Sequence, residues 1–138
     1  MQELLEWMEY IEDTRQQTKV RHTLKDILVI VLFATLANAD DWVEMALFAE
    51  NCQDYLRKYI ELKNGIPSHD TIRRVMGMIS PEILLTDKMA AQNLNIIRKW
   101  SLSILKPAEL SRHKLSMRKK RFVVSLRPIK YLEELLEA

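Results

Sequence analysis

Gly65-Ile66-Pro67-Ser68-His69-Asp70-Thr71 holds the densest set of local structural signals in this sequence. Gly65 is one of only 2 glycines in 138 residues, and it marks a backbone position that other residues adopt poorly. Pro67 fixes its own φ and favours an extended conformation for the residue before it. Ser68 is then a helix N-cap, because its hydroxyl can accept a hydrogen bond from an amide of the next turn. We therefore predict a rigid turn that leads into a helix from about residue 69 to residue 78.

The helix predicted after this turn carries two candidate functional features. Arg73 and Arg74 would suit a recognition helix that enters the major groove of DNA, although the turn typical of that motif is not distinct. Alternatively, they form an ordinary solvated face. His69 beside Asp70 has the residue types of a catalytic base and its orienting carboxylate, but adjacent side chains rarely face one another. The helix dipole already explains an acid in the first turn.

Upstream, the most apolar run extends from Ile27 to Ala37 and is broken only by Thr35. It is too short to cross a bilayer, which needs roughly 20 apolar residues. Thr23 is positioned to cap this segment, with Asp26 three residues later. The run therefore predicts a helix that is buried on all sides.

Other helix signals are spread along the whole chain, and no internal repeat is present. Apolar residues at helical spacing predict helices at 3–11, at 42–49 after a cap at Asp40 or Asp41, at 52–59, and from Pro81 to about residue 106. A basic helix begins at Ser111 or Ser116, although residues 122–124 would also suit a strand, and a last helix begins at Arg127-Pro128. We predict an all-α fold, an irregular bundle of about seven or eight helices without a substantial sheet.

Basic residues are concentrated near the C-terminus although the formal net charge is only +2. No acidic residue occurs between Leu110 and Leu132. The run Arg118, Lys119, Lys120 and Arg121 would neutralise phosphates and give weak, salt-dependent DNA binding. The alternative is a solvated helix face near the end of the chain.

Metal and cofactor chemistry has little support in the sequence. His22, His69 and His113 lack cysteines or carboxylates at zinc-ligand spacing, and helix N-termini attract acids such as Asp40, Asp41 and Glu44 without any magnesium. We therefore expect no metal, no cofactor, no small-molecule substrate and no membrane association. Because Cys52 is the single cysteine and no signal peptide is visible, we expect a cytoplasmic protein.

Several blocks, in order and spacing, resemble the N-terminal domain of H-repeat-type insertion-sequence (DDE) transposases over roughly residues 10–85. They are Asp13-Thr14-Arg15-Gln16, Lys19-Val20-Arg21-His22, Leu24-Lys25-Asp26-Ile27-Leu28, and the stretch from Gly65 to Thr71 with Arg73-Arg74-Val75. From about residue 88 the chain is similar to the extreme C-terminus of the same family. The matching blocks there are Gln92-Asn93-Leu94-Asn95-Ile96-Ile97-Arg98-Lys99-Trp100 and Lys119-Lys120-Arg121-Phe122.

This resemblance implies an RNase H-like core between the two segments, with three carboxylates that hold two magnesium ions. No counterpart of that core lies between them in this sequence, so we expect a helical domain at 1–85 fused to a C-terminal helical tail at 86–138. The resulting hypothesis is an internally deleted, inactive transposase that retains a DNA-engagement or assembly domain. The alternative is a stand-alone helical module that binds DNA, or that regulates a full-length transposase. Self-association is a further possible partnership.

Overall fold

The computed structural model describes residues 2–79, 90–107 and 116–137. Within these ranges it contains eight α-helices and no strand, which confirms the predicted all-α fold. The helices are α1 (Gln2–Glu9), α2 (Leu24–Leu36), α3 (Trp42–Asn51), α4 (Gln53–Leu56), α5 (His69–Met78), α6 (Ala90–Leu105), α7 (Met117–Leu126) and α8 (Pro128–Glu137). One turn of 3-10 helix, Gln17–Lys19, lies between α1 and α2.

Helix α2 is the centre of the molecule. Every side chain from Ile27 to Leu36 is buried, as the sequence predicts. Helices α1, α3, α5, α6 and α7 pack against it, so that it has neighbours on all sides. The one polar residue in this stretch, Thr35, donates its hydroxyl hydrogen bond to the carbonyl of Val31 at 2.6 Å, and therefore leaves no unsatisfied group in the core.

Three predicted N-caps are present. The Oγ1 of Thr23 accepts from the amide of Asp26 at 3.1 Å, and the Oγ of Ser68 accepts from the amide of Thr71 at 3.2 Å. Of the two candidates before α3, Asp41 is the cap, and it accepts from the amide of Glu44 at 2.8 Å. Each bond satisfies an amide that the first helical turn cannot pair internally.

The turn before α5 has the geometry that its sequence predicts. Gly65 has φ +75°, in the left-handed region, while the space around its Cα is open. The glycine is therefore favoured by backbone conformation rather than by close packing. On α5, Ile72, Val75 and Met76 are buried, whereas Met78 is exposed.

The C-terminal helices complete the same core. Leu94, Ile97 and Leu105 of α6 are buried against α2 and α5, and α7 packs on α2 and α6. The rings of Trp7 and Trp100 meet edge to face at a centroid distance of 5.3 Å. The described parts of the two predicted segments thus share one hydrophobic core, while the division at residue 85 stays a prediction.

One helix is shorter than the sequence predicts, and two start signals lie outside the described residues. Helix α4 has only four residues instead of extending over 52–59. Residues 122–124, for which the sequence left helix and strand open, are helical. Ser116 precedes the first residue of α7. The start signal at residues 80–82 and the alternative start at residue 111 are not among the described residues. No helix in the described ranges is long and apolar enough to cross a membrane.

The cap of α5 leads to a test of stability. We expect Ser68→Ala to lower the free energy of unfolding by about 1 kcal/mol, because the amide of Thr71 loses its partner. Ser116→Ala is the matched control, since Ser116 also occupies an N-cap position but makes no cap hydrogen bond. Urea unfolding would measure both variants, and equal losses would contradict this account of the α5 entry.

Candidate nucleic-acid interface

A groove of about 690 Å³ lies between the segment that precedes α2 and the start of α5. Its walls come from residues 15–22 on one side and 64–78 on the other. The lining residues are Arg15, Gln16, Lys19, Val20, Arg21, His22, Asn64, Ile66, Ser68, Thr71, Arg74, Val75 and Met78. None of these residues is acidic, and we name this site the basic groove.

Three cations of the basic groove have no counterion among the described residues. Lys19, Arg21 and Arg74 are exposed, and none of them forms a salt bridge with an acidic side chain in the described part of the chain. Because like charges repel, three unpaired cations in one groove favour an anionic ligand.

Arg15 has a structural role at the edge of the same groove. Its Nε and Nη2 donate to the two carboxylate oxygens of Asp13 at 2.8 and 2.5 Å, and Nη2 also donates to the carbonyl of His22 at 2.9 Å. The hydrogen bonds from Arg15 lower the pKa of Asp13 and keep the pair ionised. Arg15 therefore holds the segment that carries Lys19 and Arg21, while Asp13 balances its charge.

His22 contributes no charge to the groove at neutral pH. Burial of the ring lowers its pKa, the positive charges of Arg21 and Arg15 lower it further, and Asp26 acts in the opposite direction. Its Nδ1 is buried, without a hydrogen-bond partner in the described residues. The net charge of the groove thus comes from Lys19, Arg21 and Arg74.

The start of α5 forms the second wall. The side-chain amide of Asn64 donates to the carbonyl of Arg21 at 2.5 Å and ties the two walls together. Arg74 lies in the second turn of α5, where it faces the groove beside Thr71 and Met78. The turn at Gly65 and Pro67 therefore sets the position of Arg74 relative to Arg21.

Arg73 faces a neighbouring cleft rather than the basic groove. That cleft is lined by Asp70, Arg73, Arg74, Gly77 and Met78. Arg73 lies 3.5 Å from the carboxylate of Asp70, and the Nε2 of His69 lies 3.8 Å from the same group. His69 and Asp70 do approach each other, contrary to the expectation for adjacent residues. All three side chains are exposed, and Asp70 offsets much of the charge of Arg73.

The C-terminal basic run divides into two pairs, which corrects the picture of four equivalent surface cations. Lys120 is buried, and its Nζ donates to the carbonyls of Leu105 and Lys106 at 2.9 and 2.7 Å. It thereby satisfies the C-terminal end of α6, where a positive charge is favoured by the helix dipole. Arg121 pairs with the carboxylate of Asp40 at 3.0 Å. Of the four, only Arg118 and Lys119 are exposed.

The two basic clusters that the sequence indicates lie at opposite ends of α2. Arg21, beside Arg74, immediately precedes α2, whereas Asp40, the partner of Arg121, follows its C-terminal end. A helix of 13 residues is about 20 Å long. The predicted nucleic-acid-binding residues therefore do not form one continuous site.

The acidic side chains considered as magnesium ligands have other partners. Asp41 caps α3, the carboxylate of Glu44 accepts from the amide of Asp40 at 2.7 Å, and Asp40 binds Arg121. In the parts of the chain that the structure describes, no three His, Cys, Asp or Glu side chains gather as a metal site would require.

The residues that line the basic groove lie within a range that matches a known family. The family model described as DDE_Tnp_1-associated matches residues 5–87, more than half of the chain. The chain belongs to the DDE_Tnp_1-associated family. The matched range includes Lys19, Arg21 and Arg74, and it confirms the resemblance to H-repeat transposases.

Named relatives of this DDE_Tnp_1-associated chain come from Escherichia coli (strain K12). "Putative protein YbfL" is 42% identical over 81 residues, which are 59% of this chain and 21% of that protein. "H repeat-associated putative transposase YbfD" is 41% identical over 81 residues, again 59% of this chain and 32% of that protein. "Inactive transposase YbfQ" is 40% identical over 77 residues, 56% of this chain and 92% of that protein. No solved structure matches the chain.

The chain therefore spans about a fifth to a third of the length of the first two of these relatives. The YbfQ match differs, because it covers nearly all of the relative. The similarity of residues 88–138 to the family's C-terminus stays a prediction.

Lys19 and Arg21 of this DDE_Tnp_1-associated chain are not recognisable as binding residues from their local sequence. They lie in a short polar segment of mixed charge, where neither spacing nor periodicity shows which cations are paired. The available signal was their place in the family-like block Lys19-Val20-Arg21-His22. The burial of Lys120 cannot be predicted from its neighbours in sequence either, because they are cations that are exposed or half-buried.

Lys119 and Lys120 provide a matched pair for testing the division of the basic run. We expect Lys120→Met to lower the free energy of unfolding by about 1–3 kcal/mol, because two carbonyls at the end of α6 lose a charged donor. Lys119→Met, at the adjacent exposed position, should change stability by less than about 0.5 kcal/mol. Thermal and urea unfolding would measure both, and a neutral Lys120→Met would refute the internal role.

Proposed function

We propose that this chain is a non-catalytic transposase-family protein that engages DNA through the basic groove. The observation that carries the proposal is that Lys19, Arg21 and Arg74 line one groove without an ion pair to any described residue. All three lie inside the range that matches the DDE_Tnp_1-associated family. Phosphates are the anions that DNA presents at every nucleotide, and lysine and arginine are their usual partners.

The chemistry of the groove favours phosphate contact over the recognition of bases. Its cations lie among polar and aliphatic side chains, and no lining residue is Phe, Tyr or Trp. Unstacked bases in a single strand are usually held on aromatic rings. The groove thus suits the backbone of a duplex, with weak and sequence-independent affinity of about 10⁻⁴ to 10⁻⁶ M at physiological salt.

The absence of catalytic activity is the second part of the proposal. Strand transfer by two metal ions needs carboxylates that converge on ions about 4 Å apart. The acids near helix starts have other roles here: Asp41 is a cap, Asp40 binds Arg121, and Asp70 contacts its own helix turn. The name of the relative YbfQ, an inactive transposase, supports this assignment.

A second candidate function is a stand-alone module that regulates a full-length transposase or a copy of itself. The match that covers 92% of "Inactive transposase YbfQ" favours it, because that relative is hardly longer than the matched domain. Mixing the purified chain with a full-length family transposase would test it. Formation of a mixed complex in size-exclusion chromatography, with or without DNA, is the expected result for this function.

The DNA-binding proposal predicts a change in salt dependence. We expect the triple variant Lys19→Ala, Arg21→Ala, Arg74→Ala to bind duplex DNA more weakly. The slope of log K against log salt should fall by about 0.9 for each lost phosphate contact. Fluorescence anisotropy with a labelled duplex at several salt concentrations would measure both quantities.

The matched control removes three exposed cations outside the groove, Arg57, Lys99 and Lys106. It has the same net charge as the groove variant, so a purely global charge effect would lower both slopes equally. Such equality would refute the groove as the site. No binding by the wild-type chain at low salt would refute DNA engagement itself.

The non-catalytic assignment predicts no nicking of supercoiled plasmid with Mg²⁺ or Mn²⁺ beyond that of a mock purification. Within the described residues, no group of carboxylates converges as two metal ions would need. Nicking that co-purifies with the chain and disappears on Asp40→Asn, Asp41→Asn or Asp70→Asn would overturn the assignment.

A further inference from the structure

We propose that the outward face of α7 and the first turn of α8 form a second DNA-contacting surface, in which Phe122 and Leu126 lie against the duplex. We name it the α7 surface, and its residues are Arg118, Lys119, Phe122, Leu126, Arg127 and Ile129. The inference rests on the proposed DNA engagement but concerns different residues at the other end of α2.

The first observation is the exposure of large apolar side chains along one stripe. Phe122 is 59% exposed and Leu126 is 63% exposed, and they lie one turn apart on α7, with Arg118 one turn before them. The opposite face of α7 supplies the core contacts, through buried Lys120 and Val124. Ile129, at the start of α8, is also exposed and extends the apolar surface.

The second observation is that Lys120 and Arg121 hold this helix in place. Lys120 binds two carbonyls at the end of α6, and Arg121 binds Asp40 beyond the end of α2. Helix α8 is held in turn by buried Leu132 and by the pair between Lys58 and Glu133 at 3.0 Å. Phe122 and Leu126 thus project from an anchored helix, and little backbone freedom is lost when they bind.

The third observation is the charge that surrounds the apolar stripe. Residues 116–132 contain no acid, and Arg118, Lys119, Arg127 and Lys130 are all exposed. Among them only Lys130 has an acidic neighbour in the described residues, Glu134 at 3.9 Å. The surface therefore complements a polyanion.

Duplex DNA is a polyanion that also offers apolar groups, the sugars and base edges of its minor groove, between two rows of phosphates. Arginine and lysine bind the phosphates on both sides of the minor groove, while an apolar side chain between them reaches sugars and base edges and partly unstacks a base step. Phe122, flanked by cations on its own helix and at the α7–α8 junction, has this arrangement. The basic groove lacks an aromatic wedge of this kind, so the two surfaces would contact DNA differently.

The test separates apolar from ionic contact. Phe122→Ala with Leu126→Ala should weaken duplex binding about tenfold or more, because two apolar side chains lose their burial in the complex. The slope of log K against log salt should stay unchanged, since these side chains release no counterions.

Arg118→Ala with Lys119→Ala should lower that slope by about 0.9 per contact. In wild type, a 2-aminopurine reporter in the duplex should brighten on binding, and the Phe122→Ala, Leu126→Ala variant should abolish that signal.

The control is Val43→Ala with Leu102→Ala, which removes two exposed apolar side chains from α3 and α6. Equal affinity of the two double variants would overturn the α7 surface. A change in molecular mass, or in binding to anionic vesicles, without a change in duplex affinity would also overturn it, because a second copy or a membrane would then be the partner. Unfolding curves must first show that both variants are folded.

Loss of binding only in the basic-groove variant refutes the second surface and leaves the proposed function intact, whereas a wild-type chain that never binds refutes the proposed function.

Discussion

The fold depends on the complete burial of α2 from Ile27 to Leu36. A helix that is apolar on every side cannot face water, and burying each of its large side chains is worth about 1.5–3 kcal/mol relative to exposure. Neighbours must therefore cover the whole circumference, and they come from both parts of the chain: α1, α3 and α5 from one side of the sequence, α6 and α7 from the other. The C-terminal helices are thus part of the core rather than an appendage.

The ends of α2 then determine where charges can gather. Its N-terminal end receives the segment held by Arg15, and the basic groove forms there. Just beyond its C-terminal end, Asp40 accepts a hydrogen bond from Arg98 at its carbonyl, at 2.6 Å, and another from Arg121 at its carboxylate, at 3.0 Å. Asp40 thereby joins the α2–α3 loop to both α6 and α7. The cations near the N-terminal end of α2 are therefore available to a ligand. The charged groups near its C-terminal end bind one another and hold the helices together.

Sequence reasoning succeeds where the causes are local. A cap joins residues three positions apart, so Thr23, Asp41 and Ser68 can be recognised from short patterns. The apolar run at 27–36 predicts its burial from composition alone. It fails where partners are distant. Arg121 and Asp40 are 81 residues apart, and Lys120 reaches carbonyls 14 and 15 residues away. A run of four basic residues therefore predicted one patch, whereas folding buries Lys120 and pairs Arg121 with Asp40.

A ligand can bind only those cations whose charge is not already used within the protein. Lys120 belongs to the most basic run of the sequence, yet its ammonium is occupied by helix carbonyls, whereas Lys19 and Arg21 lie in a segment of mixed charge and have no counterion among the described residues. Moving Lys120 to the surface would leave α6 without its C-terminal donor, so this charge cannot serve a phosphate without cost to the core. Lys19, Arg21 and Arg74 carry no such cost, because the fold does not use their charges. A net charge of +2 is therefore compatible with a local cluster of available cations, since described acids elsewhere cap helices or pair with other cations.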